Sequence, residues 1–197
     1  MAHWCVSSCL TTSRVQVPLS HVAIDGEEIP IPLQGKVTEG KGWVLRNSKG
    51  QYTLTLDGLK AGSLERKTPA LEIQGDLTLV LKKGTESELL SADAALKKGA
   101  GTLTIRGEGS LRLQGETALE GEWKEETLNQ DEPSALRIEG GKLVFTGEET
   151  ALYEDTVELA GGEIQIQCLN GKGTGIRAHT LDDRHFSGSL EMEESEE

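Results

Sequence analysis

Aromatic side chains are scarce, at 4% of the 197 residues, so a core of stacked rings is excluded and the interior must be aliphatic, built from Leu, Ile and Val. Helix signals are also missing. Twenty-four glycines are scattered through the chain, and no window of about 12 residues places apolar side chains at i, i+3, i+4 and i+7. No apolar run approaches the roughly 18 residues of a membrane-spanning helix. Three cysteines, Cys5, Cys9 and Cys168, are an odd number and make no disulfide framework. Cys5 and Cys9 with His3 offer three loosely spaced zinc ligands and no fourth. His21, His179 and His185 add no ligand spacing.

Positive charge is short too. Twenty Lys and Arg stand against 33 Asp and Glu, a net charge of −13, and −8 remains when the five carboxylates of the last seven residues are set aside. Nucleic-acid backbones need a clustered basic face, and that balance excludes one. Gly171-Lys172-Gly173-Thr174-Gly175 lacks the strand-to-helix setting of a phosphate loop.

What the sequence does contain is one phrase written many times. Leu103-Thr104-Ile105-Arg106-Gly107 followed by Leu111-Arg112-Leu113 alternates apolar with polar and punctuates with glycine, which reads as strand, corner, strand. The phrase returns as Leu136-Arg137-Ile138 with Leu143-Val144-Phe145, and as Val157-Glu158-Leu159 with Ile164-Gln165-Ile166. Leu71-Glu72-Ile73 with Leu77-Thr78-Leu79 is a tighter copy upstream. Units recurring every 20 to 50 residues or so cannot bury an apolar face alone and must stack on one another, so the chain is expected to be a solenoid. The first residue of each pair and its partner two positions on should point inward, Cys168 continuing the row of Ile164 and Ile166. Gly107, Gly140 and Gly161 are the expected corners.

In chain order, residues 1–20 read as an arm without order. Residues 21–44 read as an N-terminal cap, with a hairpin turning at Asp25-Gly26 and Pro30 and Pro32 unable to serve a central strand. Trp43-Val44-Leu45 and Tyr52-Thr53-Leu54 are the first expected solenoid strands, and the β-helix occupies 45–185. Residues 86–98, rich in alanine at their end, are expected to form a short helical or irregular crossing. Residues 116–133, with seven carboxylates and Trp123, read as an insertion on one side of the coils. Residues 186–197 read as an acidic, disordered tail.

The phrases Leu54-Thr55-Leu56-Asp57-Gly58, Pro69-Ala70-Leu71-Glu72-Ile73, Asp76-Leu77-Thr78-Leu79-Val80-Leu81, Gly84-Thr85-Glu86 and Leu103-Thr104-Ile105-Arg106-Gly107 come in an order that resembles bacterial carbohydrate-binding domain-containing proteins of the pectate-lyase-like type. The resemblance covers about residues 45–176. It implies an all-β fold, a single-stranded right-handed parallel β-helix with an N-terminal hairpin cap, and a non-catalytic module at the cell surface or outside the cell. It also implies an acidic plant polysaccharide such as polygalacturonate as partner and calcium as cofactor. Ser87 stands where that family often has Asn. The first ten residues lack the basic start and apolar stretch of a secretory signal, so the competing expectation is a cytoplasmic protein or an export signal missing from this sequence.

Catalysis would need a base beside metal-binding carboxylates or acids across a glycosidic bond. Asp182-Asp183-Arg184-His185 is the one cluster of that kind, and it has no matching group on a neighbouring unit. Trp123 and Tyr153 are the best-placed aromatics for stacking on sugar rings. The alternative to a carbohydrate module is a structural or protein-interaction solenoid, part of a larger surface protein.

Overall fold

A computed structural model describes residues 16–122 and 134–194, and every regular element among them is a strand. In chain order these are β1 (His21–Ile24), β2 (Glu27–Glu28), β3 (Val37–Gly40), β4 (Trp43–Ser48), β5 (Gln51–Leu56) and β6 (Lys60–Ser63). Next come β7 (Leu71–Gln74), β8 (Leu77–Leu81), β9 (Glu86–Ser91), β10 (Ala94–Lys98), β11 (Gly101–Gly107) and β12 (Ser110–Glu120). The last are β13 (Ser134–Ile138), β14 (Lys142–Leu159), β15 (Gly161–Cys168), β16 (Thr174–Asp182) and β17 (Ser187–Glu194).

The pairings define a parallel β-helix of about five turns. A first stack runs β5, β8, β11, β13, 156–159 of β14 and 180–182 of β16. A second runs β6, β9, 110–114 of β12, 142–147 of β14, β15 and β17. A third runs β7, β10, 117–120 of β12, 150–154 of β14 and 174–178 of β16. Register is fixed by like stacking on like. Leu54, Leu79, Ile105, Ile138 and Leu159 occupy one interior ladder position and none exceeds 2% exposure. Each such side chain contributes about 1.5–3 kcal/mol on burial, and a one-residue slip would turn the whole row into water.

The expected inward pairs are all buried, from Leu71/Ile73 through Ile164/Ile166, and Cys168 continues the last row. The phase of the repeat differs from the sequence reading. Leu103 pairs with Leu77, 26 residues earlier, whereas Leu71 belongs to the third stack. At the corners Gly107 has φ 117°, but the positive φ of the following coils falls on Gly141 and Gly162 rather than Gly140 and Gly161.

The cap hairpin forms as expected, with Asp25 at φ 56° and Gly26 at φ 79°, the left-handed pair that a tight hairpin turn requires. Its β1 lies antiparallel along β7. β4 pairs antiparallel with β3 and β5, so Trp43-Val44-Leu45 belongs to the cap and β5 is the first parallel strand.

Three further expectations are corrected. Residues 86–98 are strands β9 and β10, with no helical crossing. Ser87 and Ser91 fill inward positions there, 3% and 0% exposed, which masks the apolar period; Ser87 Oγ accepts from the Leu59 N–H at 3.1 Å. The insertion starts later than residue 116, because 117–120 of β12 continue the third stack. The segment from residue 186 is not a disordered tail through Glu194, since β17 stacks in register on β15; Leu190 and Met192 keep the two-residue alternation that the glutamates between them obscure.

Candidate functional site

The outer face of the first stack carries a cleft of about 530 Å³. Its floor follows from the register: with Leu54, Leu79 and Ile105 inside, the preceding residues Thr53, Thr78 and Thr104 share one outward ladder position. Coils repeat at about 4.8 Å, so these hydroxyls span about 10 Å. Among the described residues they have no hydrogen-bond partner, which leaves each with a donor and two lone pairs for a ligand.

Gly50 and Gln51 of the β4–β5 hairpin border one end, together with half-buried Tyr52, which shares the inward side of β5 with Leu54 and Leu56 and packs against the core. Arg106 and Glu139 stand at the other. Arg106 is exposed and, among the described residues, is the lining's only Lys or Arg. Glu139 is held by Arg137 at 2.8 Å.

Asp76 builds the side wall. Its Oδ2 accepts from the Val17 N–H at 3.1 Å and its Oδ1 from the Thr102 N–H at 2.8 Å, pinning residues 16–17 against the third coil. Gly75 permits this approach, since a Cβ there would lie 2.3 Å from the Pro18 carbonyl oxygen. Neutral hydroxyls at a fixed spacing on paired strands suit a ligand that presents many hydroxyls, and little ordering is needed to receive it.

Of the aromatics singled out in the sequence, Trp123 lies outside the described residues. Tyr153 is half-buried on the outer face of the third stack, with the Arg177 guanidinium 5.5 Å from its ring centroid. It does not line the cleft. The chain leaves the coils beside it, where the Gly121 N–H donates to the Tyr153 carbonyl at 2.6 Å.

Beneath that point lies a buried ion pair, Lys98 Nζ to Glu154 Oε2 at 2.8 Å, 1% and 0% exposed. Ser134 Oγ accepts from Lys98 at 2.8 Å and donates to Glu154 Oε1 at 2.7 Å. Burial pushes the Glu154 carboxyl up and the Lys98 ammonium down, and the attraction between them opposes both shifts. The group is sealed from solvent.

The Asp182–His185 cluster is the turn between β16 and β17. Arg184 forks onto its neighbour Asp182 at 2.9 and 2.6 Å, and those bonds hold that carboxyl well below the usual range. Among the described residues no three His, Cys, Asp or Glu converge to hold a metal.

The sequence reading missed the threonine ladder and Arg106. The signal was present in Thr53, Thr78 and Thr104, each preceding an inward Leu or Ile, but the shared face needs the coil register that only the structure supplies. A family model described as "Carbohydrate-binding domain-containing protein" matches residues 20–195. No curated protein and no solved structure matches the chain.

Proposed function

Because the chain belongs to the carbohydrate-binding domain-containing family, we propose that the threonine-lined cleft of the first stack is its polysaccharide site, binding without catalysis. The observation that carries this reading is the threonine ladder with the exposed Arg106 at its end. The threonines exchange hydrogen bonds with sugar hydroxyls, and Arg106 can take a carboxylate through its planar fork.

That last contact is what an acidic plant polysaccharide would use, outside the cell as the family resemblance implies. It needs no bridging ion. Calcium enters the reading as a variable of the test and not as a part of the site.

The test is affinity measured on a panel of soluble polysaccharides, polygalacturonate and neutral glucans among them, with calcium and with chelator. Binding to polygalacturonate that survives chelator and falls on Arg106→Ala supports the direct contact. Binding that vanishes in chelator would replace it with a calcium bridge, and failure on every glycan would remove the carbohydrate reading.

A further inference from the structure

Ladder positions that are sealed along the solenoid stand open at one end of it. In the second stack Phe145 and Ile166 are 0% and 1% exposed, while Met192, next in that row, is 55% exposed. Ile164 at 2% gives way to Leu190 at 39%, and in the first stack Val157 at 0% gives way to Leu181 at 49%. The other end is covered by antiparallel strands β1 and β4. Among the described residues no strand pairs with the outer edge of β17, which leaves a row of backbone donors and acceptors available.

The solenoid also shows how its coils prefer to meet. Opposite charges face each other across successive coils in Asp57–Lys82, Glu88–Arg112 at 3.7 Å, Lys97–Glu120 at 3.6 Å, Arg137–Glu158 at 3.3 Å and Lys142–Glu163 at 3.1 Å. At the open edge the outward residues are the exposed Glu191 and Glu193, the second accepting from the Gln167 amide at 2.9 Å on the coil behind.

We propose that the edge of β17 receives an extended segment of another protein by strand addition, with apolar side chains over Leu190 and Met192 and Lys or Arg over Glu191 and Glu193. Backbone pairing supplies affinity, the apolar row closes the core, and the charges select the segment. A second copy of this chain is the poorer fit, because β17 against β17 sets glutamate against glutamate.

The test is hydrogen exchange of the full chain with a synthetic peptide of about seven residues alternating Val and Lys, against a Val and Glu control. The Val/Lys peptide should slow exchange at residues 189–193 at least tenfold, and its affinity should fall with added salt. Glu191→Lys with Glu193→Lys, a surface change checked for folding by circular dichroism, should weaken it at least tenfold and turn the preference toward the Val/Glu control. Unchanged β17 exchange, equal protection by both peptides, or full protection without peptide would overturn the proposal. A dimer seen in sedimentation that protects the same amides would assign the edge to a second copy instead.

Discussion

Lys98 and Glu154 place two charges in a ladder row that begins at Ile73 and ends at Ala178, and Gly121 on the coil between them makes room. A Cβ on Gly121 would stand 2.2 Å from Glu154 Oε2. Removing one partner of such a pair strands a buried charge, so Lys98→Met should cost about 3–5 kcal/mol near neutral pH. Without its cation Glu154 has a folded pKa raised further above the unfolded one. Stability in that variant is therefore retained below the unfolded carboxylate pKa and lost as pH rises through the folded value. Urea titrations at about pH 4 and about pH 7 should show the variant's deficit growing with pH, and an equal deficit at both would contradict this account of the pair. Replacing both residues by Met should recover most of the loss. In an ordinary interior row, Ile105→Ala should cost about 2–5 kcal/mol by thermal or urea unfolding, because its neighbours Leu79 and Ile138 are fixed by their own coils and collapse poorly onto the void.

At the scale of elements, the corner at Gly107 joins two constraints. Its φ is 117°, and a Cβ there would lie 2.2 Å from the Leu81 carbonyl oxygen. Gly107→Ala should therefore destabilise by well over the ~1 kcal/mol of an unstrained glycine site, measured by urea unfolding. Strands were legible wherever Leu, Ile or Val held both inward positions, as in β8, β11 and β15. They were illegible where the inward residue is polar, as Ser87 and Ser91 are in β9, because period-2 reading weighs hydrophobicity and these hydroxyls are buried through backbone hydrogen bonds instead. β17 was hidden for the opposite reason, its outward glutamates outweighing Leu190 and Met192. The repeat phase slipped because Leu71-Glu72-Ile73 and Leu77-Thr78-Leu79 are alike as strings, although they lie on different stacks.

For the whole molecule, the family and the β-helix were legible, since both depend on the order of many short phrases. The cleft was not, because Thr53, Thr78, Thr104 and Arg106 are spread over 54 positions of sequence and meet only when three coils stack. Sequence reasoning favoured Tyr153, which the structure sets on the third stack with Arg177 over its ring. The most direct test of a carbohydrate site on the first stack compares a variant carrying Thr78→Val and Thr104→Val with Tyr153→Ala by isothermal titration against whichever polysaccharide the unaltered protein binds best. The cleft predicts that removing the two threonine hydroxyls lowers affinity about tenfold or more, ~1.4 kcal/mol, while Tyr153→Ala leaves it within about twofold. Loss confined to Tyr153→Ala would contradict the account and move the site to the third stack.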